Sequence, residues 1–479
     1  MASPSQAGVG AGSGAATLRP AAHQGTVVAV LSLAAFMAGL DLFVVNVAFD
    51  EIGRDLGTAS ISDLSWVLNA YAVAYAAFLV PFGRLADRHG RKATFLLGLG
   101  TFTLASVACA AAPGVWWLVA ARTVQAIGAA ALTPASLGLL LTAVAPQRRA
   151  AAVRIWAASG AVAAAFGPVV GGVLVQVSWH WAFLINLPIG LLALLTAVLR
   201  VPDSRDDATA APDLLGAALL AVAVAAVALG LVKGPTWDWT STASLSTFAV
   251  AAVCSLAFVL RSRRHPAPIL ESALLRVSSF AWTNVAMLVF SAAFAAQLLA
   301  TILWMQQIWG YSVLRSGLAV APGPLMVPVF AVVAQVAARR WNPGVIAGLG
   351  SALFGLGGLL VLASVGAEPA YAARLLPGWL VGGAGVGLAL PTLLAAGTAG
   401  LPPHRVTTGS AVVSMTRQIG TVLGVSILVA VLGAPTDDDG ARTAFVHGWT
   451  AGVVLALVGA LAALPIRAGQ PRTREPVGS

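Results

Sequence analysis

The sequence predicts an all-α, polytopic membrane protein, from its composition and from the arrangement of its apolar residues. Hydrophobic residues make up 59% of the 479 positions and the four charged residue types together 9%, against roughly 25% charged residues in an ordinary globular domain. The apolar residues form long continuous runs, whereas a membrane β-barrel needs alternating polar and apolar positions. Helices satisfy their backbone hydrogen bonds internally, so they are the structure that such runs adopt in lipid.

Fourteen runs are long enough to cross a bilayer, which takes about 20 helical residues. In chain order they are predicted near 26–48, 64–83, 93–112, 115–143, 151–177, 181–200, 213–232, 243–260, 280–305, 314–338, 343–366, 375–400, 407–433 and 445–466. The first run contains Asp41 and lacks a small-residue cleavage site, so it is predicted to be a retained span and not a signal peptide.

The basic residues predict the orientation of these spans. Of the 27 Lys and Arg residues, 20 lie in one set of alternate connecting segments and tails, five in the other set and two within spans. Because Lys and Arg flanking a span prefer the cytoplasm, both termini are predicted to be cytoplasmic, in a protein of the cell membrane. This arrangement explains the net charge of +10 without a nucleic-acid partner.

The two halves of the chain share residues at a fixed offset of 257 positions: Gly98-Leu99-Gly100 and Gly355-Leu356-Gly357, Gly128 and Gly385, Pro134 and Pro391, Arg148 and Arg405, Gly167 and Gly424. The offset moves the third span onto the eleventh, as two six-helix repeats separated by two extra helices would do. Parallel repeats of this kind are typical of one large class of transporters. Chance matches in a chain rich in Gly and Ala are the alternative.

The repeat divides the chain into five predicted parts. They are a disordered cytoplasmic tail (1–25), a six-helix bundle (26–200), two extra transmembrane helices (201–265), a second six-helix bundle (266–467) and a short cytoplasmic tail (468–479).

Asp41 is a carboxylate well inside an apolar run. An ionised carboxylate costs at least about 2.5 to 3.5 kcal/mol at the bilayer centre, so an acid there is a functional candidate. Desolvation raises the proton affinity of a carboxyl group. Such a group is suited to carry a proton between the two aqueous sides and, while ionised, to hold a cationic substrate. A water-exposed capping or packing role is the alternative.

Two arginines also lie within spans, each near a glutamine. Arg122 precedes Gln125, and Arg417 is followed by Gln418. Arginine stays charged, so each needs a carboxylate, carbonyl groups or water. Arg122 is predicted to act on the proton affinity of Asp41, with a structural tether as the alternative, and the tether is favoured for Arg417 with Gln418.

The connection between the second and third spans is a candidate gate. Seven of its residues are assigned to this gate: Gly83, Arg84, Asp87, Arg88, Gly90, Arg91 and Lys92. An acid among several cations can form an ion pair in one conformation and lose it in another. As composition alone, the segment is also what positive-inside flanking predicts.

The fifth span carries glycines around one proline: Gly160, Gly167, Pro168, Gly171 and Gly172. Glycine lets a neighbouring helix approach closely and proline lets a helix bend. Generic helix packing is the alternative.

Polar side chains in the spans are candidates for lining a substrate site. They are Asp41, Asn46, Asn69, Tyr71, Gln125 and Gln306, whereas Trp66 and Trp304 are assigned to the interfacial aromatic belt. The sequence has no HExxH, phosphate-binding-loop or paired-cysteine signature, so no metal or cofactor is predicted and the protein is not expected to be an enzyme.

Together these motifs resemble those of the major facilitator superfamily, and within it the fourteen-span drug:proton antiporters. The resemblance lies in Leu40–Ala48, Gly83–Lys92, Arg122–Gly128, Gly160–Gly172, Trp179–Gly190 and Gly409–Gly420. Within these stretches Asn186 and Pro188 are assigned structural roles. Phe43, Asp50 and His180 depart from the family pattern.

The resemblance implies that Asp41 couples transport to protons and contacts substrate, that Arg122 assists it, and that the Asp87 segment stabilises an outward-open state. The fifth-span motif resembles that of exporters. The expected protein is therefore a monomeric, proton-coupled exporter of hydrophobic or cationic drugs and antibiotics that works by alternating access. A dedicated exporter of one endogenous metabolite and a non-transporting membrane receptor of the same fold are the alternatives.

Overall fold

The structure, a computed structural model, describes residues 21–58, 60–204, 211–402, 405–433 and 437–467. Fourteen helices in these segments are long and apolar enough to cross a membrane, as predicted: α1 Gln24–Asp55, α2 Ile61–His89, α3 Arg91–Ala110, α4 Val115–Ala143, α5 Pro146–Val175, α6 Trp181–Arg200, α7 Leu214–Trp237, α8 Thr242–Arg264, α9 Ser278–Ile308, α10 Val313–Ala337, α11 Pro343–Ser364, α12 Tyr371–Ala399, α13 Val406–Leu432 and α14 Asp438–Ala463.

The helix that contains α1 begins at Ala21, five residues before the predicted start at residue 26, so the tail expected to be disordered over 1–25 is helical in its last part. Most of that tail, and the tail 468–479, lie outside the described residues. With α1 to α14 crossing in alternate directions, one side of the molecule holds the predicted cytoplasmic cluster of basic residues. We call it the arginine-rich side; it includes Arg84, Arg148, Arg264 and Arg339.

Helix pairings in the first six helices recur in the last six. In the N-terminal bundle (α1–α6), α1 packs on α5 and α6, and α4 packs on α2 and α3. In the C-terminal bundle (α9–α14), α9 packs on α13 and α14, and α12 packs on α10 and α11. This recurrence is consistent with the predicted 6 + 2 + 6 arrangement.

Glycine contacts correct one part of the sequence repeat. A Cβ on Gly128 would lie 2.6 Å from the backbone nitrogen of Phe102 and 2.8 Å from the carbonyl oxygen of Gly98. A Cβ on Gly385 would lie 2.5 Å from the matching atoms of Phe354 and Gly350. The counterpart of Gly98 is therefore Gly350 and not Gly355, because α3 and α11 match at an offset of 252 while α4 and α12 keep 257.

The two extra helices lie at the edge of the molecule. α7 packs against α2 and α13, one helix from each bundle. α8 packs mainly against α7 and is the least buried of the fourteen spans. The pair therefore leaves the contacts between α1–α6 and α9–α14 largely unobstructed.

Candidate functional site

Asp41 lies in the interior of the N-terminal bundle, where its side chain is 1% exposed. One carboxylate oxygen, Oδ2, accepts a hydrogen bond from Nη1 of Arg122 in a buried ion pair. The other, Oδ1, accepts from Gln125 Nε2 at 2.8 Å and from Asn186 Nδ2 at 3.0 Å. Two other helices thus supply its donors, α4 with Arg122 and Gln125 and α6 with Asn186.

Residue spacing on α4 and the start of α6 position the donors to Asp41. Arg122 and Gln125 stand three residues apart on α4, which places them on one face of a helix. α6 begins with the short turn Trp181–Leu184 and resumes at Asn186, so the amide of Asn186 projects inward from the start of the longer segment. Pro188 lies exposed in the first turn of that segment, where its missing N–H has no intrahelical partner to lose.

Arg122 is completely buried and has several partners besides Asp41. Its Nη1 also donates to Gln125 Oε1 at 2.6 Å, and its Nε donates to the Val67 carbonyl oxygen at 3.3 Å. Its guanidinium carbon lies 4.2 Å from the centroid of the Tyr71 ring, within cation–π range. Nη2 has no hydrogen-bond partner.

Ser106 of α3 completes the network, and sequence reasoning missed it. Its Oγ accepts from Gln125 Nε2 at 2.7 Å and from Asn186 Nδ2 at 3.3 Å, and donates to the Phe102 carbonyl oxygen at 2.8 Å. A serine can bond to its own helix backbone in this way on any helix. The sequence therefore gives no signal for Ser106, and only its contacts to Gln125 and Asn186 in the structure reveal its role.

A buried pair of opposite charges is stable only while both partners remain. Removing one leaves an uncompensated charge in a medium of low dielectric, at a cost of about 3 to 5 kcal/mol. Besides Asp41, Gln125 and the Val67 carbonyl group also accept hydrogen bonds from the Arg122 guanidinium.

The other residues expected to line a substrate site lie apart from one another. Asn46 bonds to the Leu42 carbonyl oxygen of its own helix, at 2.7 Å. Asn69 donates to Ser426 Oγ of α13 at 3.2 Å, and Gln306 donates to the Val47 carbonyl oxygen at 3.0 Å. The last two contacts join the N-terminal and C-terminal bundles.

Trp304 is not in the interfacial belt, so that prediction was wrong. The side chain is 2% exposed, and its ring centroid lies 5.1 Å from that of Trp449 and 5.5 Å from that of Phe445. An indole packs equally well in a helix-bundle core and at an interface. Trp66 is partly buried, and its Nε1 has no partner.

The predicted gate segment is not a loop. α2 runs to His89 and α3 starts at Arg91, so Gly90 alone joins them, with φ of +115°. A residue without a side chain adopts this conformation without strain, which explains the one-residue junction.

Two ion pairs involve the gate residues. Arg91 contacts Asp87 at 2.7 Å, one helical turn away, and Arg84 contacts Glu271 at 3.2 Å. Glu271 also contacts Arg405, at 3.5 Å. The Lys92 ammonium bonds to the Val198 carbonyl oxygen at 2.8 Å. The remaining gate residues are Gly83, which faces Pro134 of α4, and Arg88, which is exposed.

The glycines of α5 face two different helices. A Cβ on Gly167 would lie 2.5 Å from Cβ of Phe43 in α1, and one on Gly171 would lie 3.1 Å from Cα of Val44. A Cβ on Gly172 would lie 2.8 Å from Cα of Leu314 in α10, in the other bundle.

Two further positions complete this pattern. The Pro168 carbonyl oxygen lies against Gly317 of α10, whereas the Cβ position of Gly160 is open. The motif residues near the end of α5 therefore bring α1 and α10 close together.

The C-terminal bundle has a neutral counterpart of the Asp41 site. Gln297 corresponds to Asp41 at an offset of 256, and Trp379 and Gly382 correspond to Arg122 and Gln125 at 257. These three residues line a small hollow, with Thr301, Gly358 and Trp449 among its other walls. Nε2 of Gln297 is buried there without a partner.

Comparison with known proteins identifies the family. Residues 31–425 match the Major Facilitator Superfamily. The methylenomycin A resistance protein of Streptomyces coelicolor is 32% identical over 426 residues, which cover 88% of each chain. The multidrug resistance protein Stp of Mycobacterium tuberculosis is 32% identical over 84% of this chain and 74% of its own. The tetracenomycin C resistance and export protein of Streptomyces glaucescens is 32% identical over 66% of this chain and 59% of its own.

Solved structures share the fold at low sequence identity. A POT family transporter in complex with 5-aminolevulinic acid superposes with a TM-score of 0.66 at 16% identity, over 90% of this chain and 94% of its own. A peptide transporter POT in complex with sulfate gives 0.66 at 17% identity, over 92% and 96%. With fourteen spans, a matching fold and the family match over most of its length, this chain is a multi-pass membrane transporter of the major facilitator superfamily and not an enzyme.

Proposed function

We propose that this protein is a proton-coupled exporter of hydrophobic drugs or antibiotics that works by alternating access. The buried Asp41–Arg122 pair carries the proposal, because a carboxylate balanced by one arginine at membrane depth can exchange a proton for an ionic bond. The resistance and export roles in the names of its relatives support the direction of transport.

In this mechanism the proton binds at the Asp41 carboxylate and releases Arg122 from its ionic bond. Arg122 keeps its hydrogen bonds to Gln125 and to the Val67 carbonyl oxygen, so the guanidinium still has acceptors when the carboxyl group becomes neutral. Loss of the pair changes the contacts between α1 and α4. One conformation binds the cargo and the other binds the proton, so each cycle exchanges cargo for a proton.

The alternation uses the contacts between the bundles. Gln306 to Val47 and Gly172 to Leu314 hold α1 and α5 against α9 and α10, far from the arginine-rich side. We assign this conformation to a state closed on that far side. The arginine-rich side is proposed to be cytoplasmic, with both termini there, and the protein is proposed to act as a monomer in the cell membrane.

Flux in proteoliposomes tests the proposal. An acidic lumen should drive uptake of a hydrophobic dye such as ethidium by the wild-type protein. Asp41→Asn should abolish the gradient-driven uptake, because the amide neither binds nor releases a proton. Arg339→Gln, on an exposed side chain two residues after the end of α10, is the matched control. Gradient-driven uptake by Asp41→Asn at the wild-type rate would remove Asp41 from the mechanism.

A dedicated exporter of one endogenous product is the second candidate. Two of the relatives are named for resistance to single compounds, methylenomycin A and tetracenomycin C. The breadth of resistance that the protein confers on a sensitive host separates the two candidates: protection against several unrelated compounds indicates multidrug export, and protection against one indicates a dedicated exporter.

A further inference from the structure

Arg417 is a charged residue at membrane depth that takes no part in the Asp41 site. It lies eleven residues after the start of α13, about 16 Å along the helix axis. Its side chain is partly exposed, and within the described residues its guanidinium has neither an ion pair nor a hydrogen bond. The tether expected from the sequence is therefore not seen. A cation at this depth is costly unless it meets water or an anion.

Arg417 faces the N-terminal bundle and not the lipid. α13 packs against α2, and the guanidinium of Arg417 and the side chain of Thr133 on α4 both lie near Tyr75 of α2. Thr133 is itself partly exposed. Because α2 and α4 belong to the other bundle, the guanidinium lies at the boundary between the two halves, where cargo passes in an alternating-access transporter.

Arg417 belongs to a polar stripe on α13. Ser414, Arg417, Gln418 and Thr421 stand at spacings of three, four and seven residues, which places them on one helix face. Gln418 is 4% exposed, and its Nε2 has no hydrogen-bond partner. The stripe thus offers a guanidinium and a buried amide N–H, both donors without acceptors.

The charge balance at membrane depth fixes the kind of partner that these donors need. Arg122 neutralises Asp41, so the pair has no net charge, and the unpaired charge on the Arg417 side is positive. The sites lie close together, because the Tyr71 ring on Arg122 stacks on Tyr75, with centroids 6.2 Å apart and planes 10° apart.

We propose that the Ser414–Thr421 stripe is an anion subsite for the cargo and that it binds a carboxylate or a similar acidic group. Arg417 supplies a planar fork that matches a carboxylate in a bidentate arrangement, and Gln418 Nε2 supplies an additional donor. The proposal rests on the proposed function, since it places cargo between the bundles. It names hydrophobic acids as a substrate class.

Binding of three probes with one ring system tests the subsite. They are 2-naphthoate, the neutral 2-naphthamide and the cationic 2-naphthylmethylammonium, each radiolabelled and measured by scintillation proximity on purified protein in lipid nanodiscs. The wild-type protein should bind the acid at least about tenfold more tightly than the amide or the ammonium. Arg417→Gln should bring the acid to within twofold of the amide and leave the amide unchanged.

Two further variants complete the design. Arg417→Lys keeps the charge but not the fork, and should retain part of the preference for the acid. Arg339→Gln removes an exposed arginine and should retain all of it. If Arg417→Gln does not give a monodisperse protein, Arg417→Lys and Gln418→Leu provide the test, each with a weakened preference for the acid.

Three results overturn the proposal: a wild-type protein that does not bind the acid, one that binds the amide or ammonium as tightly as the acid, or an equal loss of all three probes in Arg417→Gln. The binding is measured without a gradient. Loss of proton-driven flux for both ethidium and 2-naphthoate would refute the proposed function, and the binding result would still test the anion subsite.

Discussion

At the scale of single side chains, the Asp41 site is a charge pair enclosed by neutral donors. Gln125 and Asn186 each bond to the carboxylate and also to Ser106. Hydrogen bonds that share donors and acceptors in this way polarise and strengthen one another, although Arg122 Nη2 and Asn186 Oδ1 have no partner. The arrangement therefore fixes the orientation of the Asp41 carboxylate as well as its charge.

Removal of one charge should destabilise the protein more than removal of both. Arg122→Gln leaves the carboxylate buried and unpaired, and we expect a loss of about 3 to 5 kcal/mol. Asp41→Asn combined with Arg122→Gln should recover most of that loss. The apparent melting temperature in detergent measures the stability of both variants. A double variant no more stable than Arg122→Gln would contradict the pairing.

The ring of Tyr71, and not its hydroxyl, should matter for transport. The hydroxyl is buried without a partner, while the ring packs on the Arg122 guanidinium. Tyr71→Phe should therefore keep dye flux within about twofold of wild type, whereas Tyr71→Leu should lower it, because the cation–π contact contributes roughly 0.5 to 2 kcal/mol. Equal flux in the two variants would remove the ring from the mechanism.

The sequence identifies the charged members of the site and not its supports. Asp41 and Arg122 stand out because charges are rare in apolar runs. Ser106 does not, because a hydroxyl bonded to its own helix backbone is common in any membrane helix. Trp304 was misplaced because hydropathy carries no information on whether an indole faces a headgroup or a neighbouring helix.

At the scale of helices, backbone contact at glycines locks two helix pairs. α3 meets α4 at Gly98 and Gly128, and α11 meets α12 at Gly350 and Gly385. Small residues allow such approach in membranes, where van der Waals packing drives association. Each pair is therefore expected to move as a unit.

Gly128→Ala should destabilise the N-terminal bundle by about 1 to 3 kcal/mol, since its new methyl group meets backbone atoms that cannot move aside. Gly100→Ala on α3 is the matched control, because nothing lies within 4 Å of its Cβ position. The control should be neutral or slightly stabilising, as alanine favours helix. Thermal unfolding measures both, and a neutral Gly128→Ala would show that the helices can separate at this point.

Gly172→Ala should disfavour the conformation in which α5 packs against α10, because the methyl group meets Cα of Leu314 across the bundle interface. Gly160→Ala, with an open Cβ position, is its control. Labelling of Gln306→Cys by a water-soluble maleimide, with Cys109 and Cys254 replaced by serine, should become faster in Gly172→Ala and stay unchanged in Gly160→Ala. Unchanged labelling in both would contradict a closing role for α5.

The helix boundaries were less predictable than the helices. α2 extends six residues beyond its predicted end at residue 83, because its last turns carry charges that hydropathy excludes. The repeat offset was right for α4 and α12 and wrong for α3 and α11, since the intervening connections differ in length.

At the scale of the whole molecule, composition alone determines the fold class. A chain with 9% charged residues cannot form a soluble surface of this size, and fourteen runs of spanning length leave few architectures. How the bundles meet could not be predicted, because the contacts between them join residues hundreds of positions apart, such as Asn69 and Ser426.

Glu271→Gln should loosen the arginine-rich side. Glu271 contacts Arg84 of the N-terminal bundle and Arg405 at the start of α13, each partly exposed contact being worth about 0.2 to 1 kcal/mol. Spin labels at Arg148→Cys and Arg339→Cys should report longer and broader distances in this variant. Glu51→Gln, whose partner is Arg54 on the same helix, is the control. Identical distance distributions would exclude a bundle-joining role for Glu271.

The neutral hollow around Gln297 limits the energetics of the cycle. An amide at the position equivalent to Asp41 leaves the repeat with one acid rather than two, so the proposed proton-coupled cycle would exchange one hydrogen ion at these matched positions. A membrane potential of 100 mV supplies about 2.3 kcal/mol to one charge, which corresponds to a ratio of about fiftyfold for an uncharged cargo at zero pH difference. A steeper ratio at that voltage would require a second acid elsewhere in the chain.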